Sequence, residues 1–451
     1  MTVLNFRLKL STLALCAFGV VPPAAAGDIT EWISENAIPL STIDLSDDAS
    51  DLTQLQNIVG DARLIAFGEG THDAHELWAF RNRLFAYLVE EMGVTAIAAE
   101  TGLVQAHVTD AYVLGDSADR IAAARGVFSW SGSVFEENLA LIDWMRAYNA
   151  RPTTQRKLRF YGLEMTGCMD ADGRPLVEGA LGYVETVDPT RAAAMQKAFA
   201  PLLYGFNRQN ARRLTVEEWN SLVVASQDLV SLFERRQVVW APVTGFAEFQ
   251  RAYRKAIAVR QLTAHFRMRG EGRDIAAAKN LRWALEQEGP DGRLLVFAHN
   301  SHVAKWRLPP KDDDDLHSTM GEFITDYLGN DLVVIGSLYD GGEARDLLGL
   351  FHPVNAVYEA PPAKPASLNG VAASTGLPLF LLDLRRAGRS PVARDWFSEL
   401  REIRNLNVRA GYHRLDTLAA FDALFFVKTL TPLRLAWAPE PATNAKACFV
   451  D

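Results

Sequence analysis

The strongest constraint in this sequence is a series of short apolar runs: Leu64–Phe67, Thr95–Ala99, Leu158–Leu163, Leu294–Ala298, Leu332–Leu338, Leu377–Leu384 and Ala423–Val427. They are rich in β-branched and aromatic residues, and most are apolar at consecutive rather than alternate positions. A strand tolerates that only when both of its faces are covered. Helical patterns separate the runs. The chain therefore reads as an α/β fold, a mostly parallel central sheet flanked by helices.

The stretch 167–290 has a different rhythm. Arg191–Phe206, Val216–Arg235 and Phe246–Arg269 are helical patterns with no strand between them. They predict an inserted helical subdomain, which either forms a wall or lid of a cleft or simply adds covering helices. Residues 353–375, rich in Pro, Ala and Ser, predict an irregular surface loop, and Lys311–Asp315 a solvated acidic one.

Composition narrows the partners. With 451 residues, 49% hydrophobic and 22% charged, the chain is of ordinary globular type. Residues 1–26 read as a signal peptide: Arg7 and Lys9, then an apolar run, then Ala24-Ala25-Ala26 before Gly27. The run is about a dozen residues, against roughly 20 needed to cross a bilayer. Cys16 follows Leu15, a poor context for lipidation. The expectation is cleavage, a single domain over 27–451, no membrane insertion afterwards, and a periplasmic or secreted protein. Loss of Arg7 and Lys9 takes the net charge from −9 to −11, which disfavours nucleic acid and anionic lipid as partners. Cys168 and Cys448 remain, and export permits a disulfide between them without requiring it.

The residues just past each run carry the chemistry. The first run leads into Gly68-Glu69-Gly70-Thr71-His72, the second ends at Glu100, the third at Glu164, and the fourth at His299-Asn300-Ser301-His302. In open α/β sheets the ligand crevice lies outside the carboxyl ends of parallel strands. Four strands thus deliver acids and imidazoles to one edge, the groups that water activation requires. Any one alone reads as a helix cap or a turn.

Arg81 is a separate clue. In the helical pattern from His75 to Glu91 it falls within the apolar arc of Leu77, Phe80, Leu84 and Leu88, where a cation needs a partner or a task. It converges with His72 only if His72 sits in the loop before the helix. No Gly-x-Ser-x-Gly, His-Glu-x-x-His, Cys-x-x-Cys or Walker loop is present, and Asp73 spoils a dinucleotide fingerprint at Gly68. No cofactor is expected.

Gly68-Glu69-Gly70-Thr71-His72-Asp73-Ala74-His75-Glu76 resembles the Gly-Glu-Ala-Thr-His-Gly signature of the erythromycin esterase family. Arg81, Glu100, Phe160-Tyr161-Gly162, the His299–Val303 motif and Met320-Gly321 come in that family's order, and Tyr148-Asn149, Arg273-Asp274 and Phe421-Asp422-Ala423 also fit. The resemblance spans roughly 63 to 432. Gly70 departs from the usual Ala, Asp73 from the usual Gly, and Glu164 from the usual Asp. It implies a carboxylic ester hydrolase acting on the macrolactone of 14-membered macrolides, an antibiotic-resistance activity. It implies His72 as the water-activating base and Glu69 and Glu100 as orienting carboxylates. Arg81, His299 and His302 then position substrate and stabilise the oxyanion. Glu76, Glu164, Asn300 and Trp130 are further expected substrate contacts.

Two other readings stand beside it. Glu69, His72, Glu100, His299 and His302 are also residue types that zinc or iron accepts, so a metal-dependent hydrolase is an alternative. The second is an exported protein that binds haem or a glycan without chemistry, using these histidines with Trp130 and Trp306. Sequence is silent on oligomeric state.

Overall fold

The structure, a computed structural model, describes residues 26–45, 48–166, 173–206, 208–267, 272–306, 318–349, 351–404 and 411–438. Apart from Ala26, the expected signal peptide lies outside the described residues, as do Cys168, Cys448 and the Lys311–Asp315 run. Among the described residues no helix is long and apolar enough to cross a membrane.

All seven apolar runs are strands of one sheet. Its strands are β1 (Ala37–Pro39), β2 (Leu64–Glu69), β3 (Ala96–Gly102), β4 (Arg159–Glu164), β5 (Leu294–His299), β6 (Leu332–Arg345), β7 (Val357–Ala360), β8 (Leu379–Asp383) and β9 (Ala423–Leu430). The spatial order is β1-β8-β9-β6-β2-β5-β3-β4, and β7 pairs with the far end of β6. From β9 across to β4 every pairing is parallel. β8 runs against β9. Apolar content marks a strand as buried but does not record its direction, which the connection sets.

The runs are apolar throughout because both faces are covered. Ile65, Phe67, Ile97, Ala99, Leu295, Phe297, Val333 and Ile335 point into one core, and Leu64, Ala66, Ala96, Ala98, Leu294, Val296, Leu332 and Val334 into the other. The strict alternation is the two-residue period of a strand. Helices His75–Met92 and Glu136–Asn149 close the first face; Arg273–Gln287 and Met320–Leu328 close the second.

Between β4 and β5 lie the helices Arg174–Val187, Pro189–Phe199, Val216–Thr244, Phe246–Arg267 and Arg273–Gln287. The pattern Arg191–Phe206 divides, because Pro201 ends the α-helix and Ala200–Phe206 continues as a 3-10 turn. Val216–Thr244 outruns its expected end at Arg235. It is started by a capping box between Thr215 and Glu218 and stopped by Gly245 at φ +89°. These helices share a third apolar core around Phe199, Leu229, Phe233 and Phe249. Residues 353–375 are not irregular throughout. Val357–Ala360 pairs with Gly342–Arg345, and Ser367 caps the helix Leu368–Ser374 by accepting from the Gly370 N–H. Pairing to a distant strand outweighed a loop-like composition.

β2 occupies the middle of the sheet. The chain leaves it toward β3 on one side and later passes from β5 to β6 on the other. That reversal opens the crevice at the carboxyl ends of β2, β3, β4 and β5.

Candidate active site

β2 ends at Glu69, and the helix begins at His75, so His72 sits in the intervening loop. The loop is seated by close backbone approach. A Cβ on Gly68 would lie 2.3 Å from Asn300 Oδ1 and 2.7 Å from Val303, and one on Gly70 3.0 Å from the Ser337 carbonyl. The Gly70 N–H donates to Ser337 Oγ at 2.7 Å. Glycine is required here for space rather than for a turn.

Glu69 is fully buried, with Oε1 2.5 Å from His72 Nδ1 and Oε2 accepting from Trp78 Nε1 at 2.7 Å. Glu69, His72 and Glu100 each place one ligand-type atom within 4.8 Å of the others. The His299 ring lies 5.2 Å from that of His72. Burial opposes a charged imidazole at His72, yet Glu69, Glu100 and Asp73 raise it to about 9.

Glu100 is at once carboxylate and scaffold. Its Oε2 accepts from the His299 backbone N–H at 2.9 Å, and its Oε1 accepts from Arg273 at 2.7 Å. Burial would raise this carboxyl, but His302, Arg273 and His72 hold it well below the usual carboxylate range. Glu164 accepts from Arg273 Nε at 3.0 Å; burial and neighbouring Glu100 push its carboxyl up despite Arg273. Trp130 lies beneath the same guanidinium at 4.7 Å and donates to the Glu100 carbonyl.

His302 has Nδ1 2.7 Å from Asp274 and Nε2 3.1 Å from Arg273. Burial lowers its basicity, but Asp274 and Glu100 outweigh that and raise it. His299 differs. Its Nδ1 accepts from the Ser301 N–H, leaving Nε2–H directed at the Gly70 carbonyl, and burial beside His72 keeps it neutral. It is fully buried, so it walls the His72 pocket rather than offering a charge.

Three expected site residues do not reach the centre. Arg81 is 1% exposed and hydrogen-bonds to Asn82 and Asn138, with its guanidinium 5.2 Å from the Trp78 ring and 4.8 Å from Phe297. It packs beside Trp78, which itself donates to Glu69. The Glu76 carboxylate is taken up by the N–H and hydroxyl of Thr431. The Asn300 amide pairs with both backbone groups of Ser337. The guanidinium at the centre is Arg273, and Asp274 orients His302. The Arg273-Asp274 pair fits the family pattern, but residues flanking a Gly before a helix carry no signal of their own.

The sequence pattern that defines the erythromycin esterase family matches residues 89–430, beginning after the His72 loop. The chain is 23% identical over 334 residues to an erythromycin esterase type II of Escherichia coli, covering 70% of this chain and 78% of that relative. A protein from Bacillus cereus has the same fold at a TM-score of 0.78, with 23% identity over 92% of this chain and 100% of the other. A mutant erythromycin esterase in an open conformation matches at 0.68, with 16% identity over 89% and 99%.

Proposed function

Because the chain belongs to the erythromycin esterase family, we propose that it is a hydrolase that adds water across a carboxylic ester with His72 as general base. The observation that carries this is the buried Glu69–His72 hydrogen bond, set within 4.8 Å of Glu100 at the crevice of the sheet. Glu69 occupies Nδ1, so Nε2 is the nitrogen that takes the proton from water. Glu69 steadies the imidazolium that forms, and Trp78 fixes Glu69 in turn. We assign Arg273 and His302 to the developing oxyanion; in the free protein they are paired with Glu100, Glu164 and Asp274, and one well-placed donor of this kind contributes about 10²–10³ in rate.

The substrate we propose is the macrolactone of a 14-membered macrolide, and the site of action is the periplasm or the medium, reached through residues 1–26. The test is incubation of the purified mature protein with macrolides and simple esters, with mass spectrometry reading a gain of one water. His72→Ala should lower turnover by about 10²–10⁴ while preserving circular dichroism and melting temperature. A folded His72→Ala protein with full activity would overturn the assignment.

A metal-dependent version has one observation in its favour, the approach of Glu69, His72 and Glu100. Against it, Glu100 is already neutralised by Arg273 at 2.7 Å and anchored to the His299 N–H, so a cation would compete with a built ion pair. Activity that survives exhaustive chelation supports the metal-free mechanism; activity lost and restored by added metal would replace it.

A further inference from the structure

The residue after His72 is built into a second arrangement, which the ester-cleaving groups do not use. Asp73 is 5% exposed. Tyr358 Oη donates to its Oδ2 at 2.7 Å, the Leu347 N–H approaches Oδ1 at 3.3 Å, and the Arg345 N–H donates to its carbonyl at 2.9 Å. All three donors come from β6, β7 or the connection between them.

That connection is itself tightly made. The buried Asp346 accepts the N–H groups of Phe351 and His352 at 2.9 and 2.8 Å. Arg345 donates to the carbonyls of Leu433 and Asn355. Asn355 adopts φ +66° and donates to Ser133 Oγ. Leu347 and Leu348 are anchored in the core. On this frame the His352 ring stacks on Tyr358 at 4.9 Å and 19°, while Phe351 and Val354 remain 44% and 38% exposed.

Two buried carboxylates, Asp346 within the connection and Asp73 facing it from the His72 loop, are an expensive way to gain stability. Burial pushes the Asp73 carboxyl up to about 7, against the Tyr358 hydrogen bond and His72. What the arrangement does provide is a rigid stacked pair with apolar neighbours, one hydrogen bond from the residue next to the base. Rigid rings with an exposed apolar side are what ligand sites use to receive a large apolar or ring-shaped group.

We propose that Asp73 and Tyr358 are positioning residues that fasten this connection to the His72 loop, and that the His352–Tyr358 stack with Phe351 is the wall receiving the ring-bearing part of the ester. The proposal rests on the reading of His72 as the base.

Two measurements test it. Hydrogen exchange of the free protein reads the fastening: Asp73→Ala and the milder Tyr358→Phe should each speed exchange across 346–349 and 351–356 by about tenfold, the worth of one lost hydrogen bond. Unchanged exchange in the folded variants overturns the fastening. Kinetics on a macrolide lactone and a small acetate ester read the wall: His352→Ala and Tyr358→Phe should raise KM for the lactone about tenfold, with a clearly smaller change in kcat. Glu399→Ala, at an exposed ion pair with Arg401, serves as the control with neither shift. An equal loss on both esters overturns the wall. A wild-type protein that hydrolyses no ester means the His72 reading has failed and the wall with it, while exchange still decides the fastening.

Discussion

Glu69 Oε1 and His72 Nδ1 are 2.5 Å apart in a buried setting, three residues from each other in the chain. A carboxylate so placed fixes which nitrogen is available and raises the affinity of the ring for a proton. The His72 imidazole accordingly titrates at about 9 in the folded protein, above its ordinary 6.5.

Activity should therefore depend steeply on pH. A base must be deprotonated to act, and His72, in the role proposed for it, is protonated below about 9. kcat/KM should rise about tenfold per pH unit through the neutral range and level off near that value. Glu69→Gln removes the strongest group raising the imidazole, so the rising limb should move to lower pH even as the plateau falls. A bell centred near pH 6, unmoved by Glu69→Gln, would contradict the assignment.

Arg273 holds Glu100 and Glu164 together at 2.7 and 2.9 Å. Arg273→Ala takes the shared guanidinium from two buried carboxylates and leaves only the imidazoles of His302 and His72 to offset Glu100. It should cost about 3 kcal/mol in urea unfolding and lower kcat by about 10²–10³. Arg273→Lys keeps the charge but cannot serve two carboxylates and an imidazole from one planar fork, so it should recover only part of either loss.

Arg81 should behave in the opposite way. It is buried beside Trp78, and burial lowers its guanidinium to about 10 despite the charges of Glu69 and Glu137. Arg81→Met should destabilise the protein by about 3 kcal/mol, since it strips Asn82 and Asn138 of a buried donor and removes a cation that offsets Glu69 and Glu137. KM should stay near the wild-type value. A large rise in KM with unchanged stability would return Arg81 to the substrate-binding set.

Gly70→Ala places a methyl group 3.0 Å from the Ser337 carbonyl and 3.2 Å from the Tyr339 ring. Crowding of this degree costs about 1–3 kcal/mol when neither neighbour can yield. Relief by displacing the loop would move His72 itself, so kcat should fall more than the melting temperature implies. Equal activity in the two proteins would show that the loop has slack.

Much of the fold was legible because burial leaves a local signature. Seven apolar runs, most of them apolar on both faces, became seven strands, and the glycines at 68 and 70 marked a loop that carries His72 past the end of β2. β1 is three residues long and left no such trace. Within 353–375, Val357–Ala360 is a strand by virtue of its pairing with Gly342–Arg345, a partner the segment's own composition does not announce.

The sequence by itself determined that Glu69, His72, Glu100, Glu164 and the His299–His302 motif lie at the ends of buried strands, because a strand covered on both faces is recorded in its own residues. Only the tertiary structure decided which of them face one another. Arg81 and Arg273 both precede or interrupt helical patterns. Helical periodicity reports that a side chain turns inward, not whether the inside there is core or crevice. Asn300 and Glu76 stand in the most distinctive motifs, yet their polar groups are taken up by Ser337 and Thr431, 37 and 355 residues away. Partners at such separations are fixed by how the strands order themselves in the sheet, a long-range outcome that no stretch of local pattern encodes.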